Sequence, residues 1–402
     1  MKKNKIFILG DIGICEKGGF HFGDEAMFYA NLSWYKKQDF EIYGSSRSIF
    51  HNNIFKESLD IYIQGFIHYY ILLSFVYVHK YSNLNLLPKF FRKTFNNLIN
   101  CDKLHISGGG NLNEFWYGHV LYRSLMINIA SLYKIPIYIS GQTVGIISNN
   151  TLKRILSDSL KKVEVIGIRD KNISLNNLLN LGINKSKICF CPDDMLLLEY
   201  AKVENQNGDK IKVGLSLHKF RKEKNSRKKI IMMLQDLKDN IPNILFFLIP
   251  HYYNSKAKND DLEYMKEMLC ELNIKNYTYP CYHNLIENKS FEIQVQTLFE
   301  KYSEVDLVIS TRYHGIVSAL MTGVPVVAIN LNKYYVQKNY TFYNEIGLDS
   351  KLFQNNLEDG ALENFANKIK YIIINKSIFT KKINIGINKL KKMQNDFYAK
   401  LK

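Results

Sequence analysis

The chain has 402 residues, of which 46% are hydrophobic and 13% aromatic. This length favours two domains, and the apolar content excludes general disorder. The formal net charge of +17 at pH 7 indicates an anionic partner such as nucleic acid, a membrane surface or a phosphorylated substrate, unless it reflects only a general abundance of lysine. The sequence contains no aromatic-basic nucleic-acid module, so we do not expect nucleic-acid binding.

The first residues, MKKNKIFILGDIG, share with a secretory signal an apolar run that follows lysines. The run ends after Leu9 in a Gly/Asp loop without a small-residue cleavage site, so it predicts a first β-strand instead. The six cysteines are dispersed along the chain, which fits buried free thiols in a reducing compartment better than disulfides or a metal site. We therefore expect a cytoplasmic protein.

The first half of the chain alternates short β-branched or aromatic runs with loops rich in Gly, Asp or Asn and with helix-like segments. This alternation is the pattern of a parallel sheet with crossover helices. The predicted strands are Lys5–Gly10, Asp39–Gly44, Lys103–Ser107, Ile135–Ser140, Glu164–Ile168 and Lys187–Cys191. They define a Rossmann-like domain over residues 1–203.

A polar stretch, Glu204–Lys210 (ENQNGDK), then interrupts the alternation of strands and helices and predicts a domain linker. A second parallel sheet is predicted over residues 211–380, with strands at Lys212–Leu217, Ile244–Pro250, Tyr277–Tyr279, Asp306–Ser310 and Pro325–Asn330. The basic tail 381–402 has apolar residues at helical spacing and predicts a packed helix. The expected fold class is α/β, with two Rossmann-like domains facing a cleft, and ligands of such sheets bind beyond the carboxyl ends of the strands.

The stretch STRYHGIVSALMTGVPVVAI, residues 310–329, places Arg312 and His314 between a predicted strand and a predicted helix. A helix amino terminus attracts anions, and a guanidinium forks two hydrogen bonds to a carboxylate or phosphate. The alternative is that Arg312 pairs with a structural carboxylate and that His314 caps the turn. We favour an anion site, because the motif follows a buried strand and precedes a helix of small residues.

Polar residues also follow the strands of the first half. Gly23, Asp24 and Glu25 lie at the start of a predicted helix, where acids are good caps but where Asp24 could instead hold sugar hydroxyls. Asn111 ends a run of three glycines that lets backbone approach a ligand closely or merely makes a tight turn. Gln142 occupies the equivalent position after the next strand.

Further candidates come from the ends of other strands. Arg169 could help to clamp an anion, or it could form a salt bridge to Asp170 or cap a helix. Ser216 and His218 lie at the end of the first strand of the second domain. His251 also lies at a strand end, but the two tyrosines beside it favour packing.

The sequence has none of the motifs of Walker-type phosphate sites, zinc hydrolases or serine nucleophile elbows. Several segments, taken in order, resemble the polysaccharide pyruvyl transferase family: FGDEAM at 22–27, ISGGGNL at 106–112, SGQTVGII at 140–147, GIRDKNISLNNLLNLGI at 167–183 and the stretch at 310–329. The resemblance implies two Rossmann-type domains in the GT-B arrangement. It also implies transfer of pyruvate from phosphoenolpyruvate, as a ketal, to a sugar of a cell-surface polysaccharide or its lipid-linked precursor.

In this family Arg312 and His314 match the Arg-x-His donor site, and Arg169 matches an arginine implicated in donor binding. The resemblance implies that His314 and Arg312 are catalytic. We expect donor binding by Arg169, Arg312, Ser216 and His218, and acceptor binding by Gly23, Asp24, Glu25, Asn111 and Gln142. Phosphoenolpyruvate is the expected co-substrate, without a metal or other cofactor. A GT-B glycosyltransferase that uses a nucleotide sugar and a non-catalytic glycan-binding relative remain alternatives.

The aromatic stretch Ile61–Val78 lies outside the matching motifs. It contains polar residues and barely reaches bilayer length, so we do not predict a membrane span. Lys80, Lys89, Arg92 and Lys93 follow it closely, and this combination suits an interfacial segment on anionic lipid, where a lipid-linked acceptor would lie. The alternative is an ordinary buried helix whose basic neighbours are solvated.

Overall fold

The computed structural model of the chain describes residues 3–12, 19–46, 55–59, 63–82, 84, 86–200, 209–219, 224–254, 260–279, 291–359 and 364–401. These residues form two compact units. Unit 1 contains the described residues of 1–14, 24–198 and 393–402, and unit 2 contains those of 15–23 and 199–392. Most of the predicted linker, Glu204–Lys210, lies outside the described residues.

Within these residues the strands are, in chain order, β1 (Lys5–Leu9), β2 (Gly19–His21), β3 (Glu41–Ser46), β4 (Lys56–Leu59), β5 (Lys103–Ile106), β6 (Gly109–Leu112), β7 (Ile137–Val144), β8 (Val165–Ile168), β9 (Ile188–Phe190), β10 (Ile211–Ser216), β11 (Ile244–Leu248), β12 (Tyr252–Asn254), β13 (Tyr277–Thr278), β14 (Leu307–Ser310), β15 (Val326–Asn330) and β16 (Gln354–Asn356).

The helices are α1 (Phe22–Lys37), α2 (Phe66–Ser82), α3 (Lys89–Ile99), α4 (Tyr117–Leu132), α5 (Asn150–Leu160), α6 (Ile173–Asn180), α7 (Lys224–Asn240), α8 (Asp261–Glu271), α9 (Phe291–Ser303), α10 (Tyr313–Met321), α11 (Lys333–Glu345), α12 (Ser350–Phe353), α13 (Phe365–Ile374) and α14 (Lys376–Ala399). A short 3-10 turn, Glu114–Trp116, precedes α4.

A parallel sheet forms the centre of unit 1. Its eight strands are ordered β4-β3-β1-β5-β7-β8-β9, with β6 paired to β7. β1 lies between β3 and β5, where Leu9 is level with Ser45 and Ile106. Because these strands run parallel, the loops that follow them gather at one edge of the sheet.

The two faces of β1 pack against different helices. Ile6 and Ile8 share a cluster with Phe28 of α1, whereas Phe7 and Leu9 belong to a larger cluster that includes the buried face of α4. This division follows from the alternation of side chains along a strand. Burial on both faces also explains why β1 is a continuous apolar run in the sequence.

The last turns of α14 belong to unit 1. Phe397 and Tyr398 pack with Cys191 and Leu401 in a separate buried cluster. The Tyr398 hydroxyl also lies 2.8 Å from Asp194 Oδ1. The end of the basic tail is therefore part of the interior of this unit.

Unit 2 has its own parallel sheet, ordered β13-β11-β10-β14-β15-β16. β10 lies between β11 and β14, where Leu215 is level with Leu248 and Ile309. A separate antiparallel ribbon joins β2 to β12, with His21 opposite Tyr252. A short segment from near the amino terminus is therefore built into unit 2.

The predicted α/β class with two parallel-sheet domains is confirmed, and each strand predicted from the sequence overlaps an observed strand. The short strands β2, β4, β6, β12 and β16 were not predicted from the sequence. Among the helices formed by the described residues, none has both the length and the hydropathy needed to cross a lipid bilayer.

Helix α2, which follows residues 61 and 62 outside the described part of the chain, is apolar on two faces. Its inner face buries Tyr69, Leu72 and Val76 in the cluster that also contains α4 residues. Its opposite face is exposed and carries Ile67, Tyr70, Ile71, Tyr77 and Tyr81. One face of the aromatic stretch is thus that of an ordinary packed helix, and the other lies at the surface.

Candidate functional site

Arg312 in unit 2 occupies the N-cap position of α10. Its Nε donates to Asp261 Oδ2 at 3.0 Å, and its Nη2 pairs with Oδ1 of the same carboxylate. The Asp261 side chain is 1% exposed, whereas that of Arg312 is 21% exposed. The pairing with a structural carboxylate therefore occurs, and it orients a guanidinium that remains partly exposed.

Asp261 is fixed from several directions. The backbone N–H groups of His251 and Tyr252 donate to its Oδ2 at 3.1 and 3.0 Å. Burial raises the pKa of Asp261, while the charge and hydrogen bonds of Arg312 act against that rise. A carboxylate held in this way restricts the guanidinium to one orientation.

His314 lies in the first turn of α10 and packs against Gly23. A Cβ atom added to Gly23 would lie 1.9 Å from His314 Nδ1. The Tyr313 ring meets the imidazole edge to face, with ring centroids 5.3 Å apart. Gly23, which we predicted to bind the acceptor, is thus in contact with the predicted catalytic residue.

The start of α10 approaches the ends of two strands closely. A Cβ atom on Gly315 would lie 2.4 Å from Ser310 Oγ and 3.0 Å from Ser216 Oγ. Ser310 Oγ also donates to the carbonyl oxygen of Arg312 at 2.9 Å. The predicted donor-binding residue Ser216 is completely buried, and it packs against the first turn of α10 at Gly315.

Two histidines of unit 2, His218 and His251, lie in the field of nearby cationic groups. Burial, followed by the charges of Arg312 and Lys338, lowers the pKa of His218 well below its ordinary value. Burial and then the charge of Arg312 do the same for His251, whose Nε2 lies 2.6 Å from Tyr302 Oη. Both rings are therefore neutral at neutral pH, while Arg312, Lys338 and the helix amino terminus supply a field that attracts anions.

Arg169 belongs to unit 1, not to the unit that contains Arg312. Its Nε donates to Thr143 Oγ1 at 2.8 Å, and its Nη1 lies 3.2 Å from Asp193 Oδ2. Both members of this ion pair are buried. Asp170, the partner considered from the sequence, instead accepts a hydrogen bond from the Ser174 N–H at 2.7 Å.

A second group of polar residues lies beyond the carboxyl end of β1 in unit 1. Asn111 Nδ2 donates to Asp11 Oδ2 at 2.8 Å, and His119 Nδ1 lies 3.4 Å from the same oxygen. Arg123 Nη1 lies 3.4 Å from His119 Nδ1, one turn further along α4. The predicted acceptor residue Asn111 is thus joined to an acid and an imidazole.

The remaining predicted acceptor residues differ in their exposure. Asp24 and Glu25 lie in the first turn of α1, where Asp24 is half-buried and Glu25 is buried. Gln142 is completely buried, and its Nε2 donates to the carbonyl oxygen of Ser107 at 2.6 Å. Gln142 therefore supports the start of the glycine run from inside the protein.

Four residues near these sites were not predicted from the sequence: Asp261, Lys338, Asp11 and His119. Asp261 and Lys338 lie on helices that are remote from Arg312 in sequence, and only the fold brings them together. A signal did exist for the other two, because Asp11 follows a predicted strand and His119 follows the aromatic run EFWY just after the glycines.

The two parallel-sheet units define a Rossmann-like protein of the class that includes GT-B glycosyltransferases and epimerases. Similar solved structures include HepE of Anabaena in complex with UDP (TM-score 0.57, 10% identity, 99% of this chain and 100% of that chain) and a glycosyltransferase of Rickettsia africae ESF-5 (0.58, 11%, 100% and 99%). A UDP-GlcNAc 2-epimerase of Methanocaldococcus jannaschii is also similar (0.53, 14%, 92% and 92%). At these sequence identities the comparisons show a shared fold and nothing further about function.

The chain belongs to the polysaccharide pyruvyl transferase family, whose profile matches residues 21–333. The match includes both the segment around Gly23 and the Arg312–His314 motif, and it confirms the resemblance found in the sequence. Family and fold together identify a transferase that acts on polysaccharides. A comparison with curated protein sequences finds no match.

Proposed function

We propose that the protein transfers a pyruvyl group from phosphoenolpyruvate to a glycan, forming a cyclic ketal and releasing phosphate. The observation that carries this proposal is Arg312, which buried Asp261 orients at the amino terminus of α10 beside His314. Phosphoenolpyruvate presents a carboxylate and a phosphate, and a guanidinium at a helix amino terminus suits either group.

In the proposed reaction His314, as an imidazolium, donates a proton to the methylene carbon of phosphoenolpyruvate, which makes the neighbouring carbon electrophilic. One sugar hydroxyl adds to that carbon and loses its proton. The bond from that carbon to the phosphate oxygen then breaks, and a second hydroxyl of the sugar adds and loses its proton. The products are the ketal, with a new methyl group, and phosphate that carries one proton. General-acid catalysis of this kind contributes about 10²- to 10⁴-fold in rate.

Thermal shifts and phosphate release test the proposal together. We expect phosphoenolpyruvate to raise the melting temperature of the wild-type protein, and phosphate to be released when a suitable cell-envelope glycan is added. Arg312→Lys should reduce the thermal shift, because lysine keeps the charge but loses the fork. The proposal fails if phosphoenolpyruvate neither binds nor releases phosphate with any glycan offered.

A glycosyltransferase that uses a nucleotide sugar is the second candidate. The fold is shared with HepE of Anabaena, whose structure contains UDP, and the amino terminus of α10 would also suit a diphosphate. A thermal shift with nucleotide sugars alone would favour this candidate. No shift with any of these ligands would favour a non-catalytic glycan-binding relative.

We also propose that the acceptor is lipid-linked and that the outer face of α2 rests on an anionic membrane at the cytoplasmic side. Ile67 and Tyr81, near the two ends of this face, are 80% and 75% exposed. Residues 63–101 contain no acidic residue, and Lys80, Lys89 and Lys93 are exposed beside the helix. An apolar face with basic neighbours binds anionic interfaces, with about 1 kcal/mol from each basic residue near the surface.

Flotation with phosphatidylglycerol vesicles tests the membrane proposal. The wild-type protein should float at low salt and less at high salt, and Ile67→Ser/Ile71→Ser and Lys89→Glu/Lys93→Glu should each reduce flotation. Ile374→Ser is the matched control, because Ile374 is 81% exposed but lies in unit 2, and it should float like wild type. Absence of flotation at low salt contradicts the proposal. So does a lipid-free dimer that Ile67→Ser/Ile71→Ser converts to monomer, because the face would then be a contact between two copies.

A further inference from the structure

The proposed donor carries two anionic groups, and Arg312 can pair closely with one of them. Its carboxylate has one negative charge, and its phosphate has a charge of about −1.5 to −2, so a site for this donor needs a further cation. Arg169, the second donor arginine expected from the sequence, belongs to unit 1 and is paired there with buried Asp193. Unit 2 itself contains a cation near Arg312, which is Lys338 of α11.

The sheet of unit 2 brings the starts of α10 and α11 to the same edge. β14 and β15 are parallel neighbours, with Ser310 level with Ala328. Helix α10 follows β14, and α11 follows β15. Because the carboxyl ends of parallel strands lie at one edge of a sheet, the two helices begin side by side where ligands of such sheets bind. Lys338 lies in the second turn of α11.

Ring contacts show which way Lys338 faces. Its Nζ lies 5.2 Å from the centroid of the Tyr313 ring. Phe342, four residues further along α11, is buried, and its ring centroid lies 6.4 Å from that of Tyr313. Residues four apart share one face of a helix, so this face of α11 is turned towards Tyr313. Because Tyr313 lies between Arg312 and His314 in the chain, the ammonium of Lys338 is held beside the motif.

His218 lies near both cations. Its backbone N–H donates to Thr311 Oγ1 at 2.9 Å, and its Nδ1 lies 3.0 Å from the same oxygen, which places it next to the end of β14. The charges of Arg312 and Lys338 act together with burial to lower the pKa of His218. The imidazole of His218 therefore adds no charge at neutral pH, and Arg312 and Lys338 supply positive charge from two sides of it.

We propose that Lys338 binds the phosphate of phosphoenolpyruvate and that Arg312 binds its carboxylate. An ammonium on a flexible stem is a point charge that suits a phosphate, whereas a planar guanidinium matches a carboxylate. When the bond from the enolpyruvyl carbon to the phosphate oxygen breaks, the electron pair stays on that oxygen, and the ammonium stabilises the charge that develops there. This assignment rests on the proposed pyruvyl transfer. The structural alternative is that the Lys338 ammonium only packs on the Tyr313 ring.

Calorimetry with three probes tests the assignment: phosphoenolpyruvate, inorganic phosphate and pyruvate, which has the carboxylate alone. Lys338→Gln should weaken the binding of phosphoenolpyruvate and of inorganic phosphate roughly 10- to 100-fold and leave pyruvate binding unchanged. It should also lower kcat, and Lys338→Arg should restore part of both losses. Arg312→Lys should show the reverse preference, with pyruvate binding weakened more than phosphate binding. Lys333→Gln is the matched control, because Lys333 is exposed at the start of the same helix, and it should bind all three probes like wild type.

The outcomes separate this inference from the proposed function. If inorganic phosphate binds and Lys338→Gln weakens it, but the wild-type protein shows no transfer from phosphoenolpyruvate, the proposed function fails and the phosphate site stands. If transfer occurs and Lys338→Gln keeps the wild-type affinity for phosphoenolpyruvate and phosphate, only the inference is overturned. A lower melting temperature of Lys338→Gln with unchanged affinities would show that Lys338 serves only to pack on Tyr313. Weaker binding of pyruvate but not of phosphate in Lys338→Gln would also overturn the assignment, because Lys338 would then bind the carboxylate.

Discussion

Gly23 and His314 are packed so closely that Gly23 has no room for a side chain. A Cβ atom at this position would lie 1.9 Å from Nδ1 and 2.6 Å from Cγ of the imidazole. Glycine is therefore required here by the position of a neighbouring ring. The FGDEAM motif and the Arg-x-His motif are separated by most of the chain, and this contact joins them physically.

Gly23→Ala should displace the His314 ring and lower turnover at least tenfold, because misplacing a catalytic group by about 1 Å can cost about 10²-fold. The thermal shift with phosphoenolpyruvate should fall less, since Arg312 keeps its contact with Asp261. Gly65→Ala is the control, because a Cβ there would meet nothing within 4 Å. Wild-type turnover in Gly23→Ala would show that the ring position does not matter for the reaction.

Arg312→Lys and His314→Ala should impair different steps: donor binding in the first variant and turnover in the second. Arg312→Lys loses the bidentate pairing with Asp261, so we expect donor binding to weaken about tenfold or more. His314→Ala should lower turnover by more than it lowers donor affinity. Calorimetry and phosphate release measure donor affinity and activity. If the two variants have the same donor affinity and the same activity as each other, the assignment of both residues is contradicted.

Asp261→Asn tests the orienting role of the buried carboxylate. An amide offers only one acceptor oxygen, and its NH₂ group would face a guanidinium N–H. We therefore expect weaker donor binding and a lower melting temperature, although Arg312 itself keeps its charge. Glu263→Gln on the same helix is a suitable control, since the Glu263 side chain is 62% exposed. An Asp261→Asn protein with wild-type donor affinity would show that Arg312 is positioned by other contacts.

Strands such as β1, β14 and β15 could be predicted because they are buried on both faces and are therefore largely apolar runs. β15, for example, is VVAIN and is buried throughout. The short strands were missed because their signal is tertiary. Among the described residues β2 (GFH) pairs with β12 alone. Three residues carry no sequence pattern that could identify a partner more than two hundred residues away in the chain.

The site was predictable where its residues are close in sequence. Arg312 and His314 could be recognised because the strand, the loop and the helix start follow one another. The partner of Arg312 could not, because Asp261 reaches it from another helix, and acids at a helix start are common caps. The predicted roles of Gln142 and Arg169 in binding stay predictions, with both side chains buried against unit 1 partners.

Protonation of a buried histidine should destabilise the protein at low pH. Burial lowers the pKa of His105 from 6.5 to about 3, and its Nε2 lies 2.9 Å from Ser140 Oγ. Between these values the unfolded chain binds the proton and the folded chain does not, so stability falls as pH decreases below 6.5. Linkage gives about 2 kcal/mol for this residue at pH 5.

Urea unfolding at pH 7 and pH 5 measures this effect. The wild-type protein should lose more stability between the two pH values than His105→Gln does, by about 2 kcal/mol. The comparison removes the contribution of other titrating groups, which both proteins share. An equal loss in the two proteins would show that His105 accepts a proton without unfolding.

Asp194 is the centre of a buried network in unit 1. Its Oδ2 accepts hydrogen bonds from the Gly108 N–H at 2.7 Å and from Ser140 Oγ at 2.6 Å. Its Oδ1 accepts from Gln394 Nε2 at 3.0 Å and lies 2.8 Å from the Tyr398 hydroxyl. The carboxylate thus joins the loop after β5 and strand β7 to the end of α14.

Asp194→Asn should therefore unfold unit 1 at a lower urea concentration. The asparagine amide has one acceptor oxygen and one NH₂ group. The NH₂ group would face hydrogen-bond donors that bind a carboxylate oxygen in the wild type. Each buried polar group left without a partner costs roughly 1–3 kcal/mol. Trp34 packs on Tyr398, with ring centroids 5.1 Å apart, so its fluorescence in a Trp116→Phe background reports on this network. Asp158→Asn is the control, because the Asp158 side chain is 63% exposed, and it should change stability by less than about 0.5 kcal/mol. If Asp194→Asn unfolds at the same urea concentration as Asp158→Asn, the network does not hold α14 in place, and the packing of Phe397 and Leu401 is sufficient.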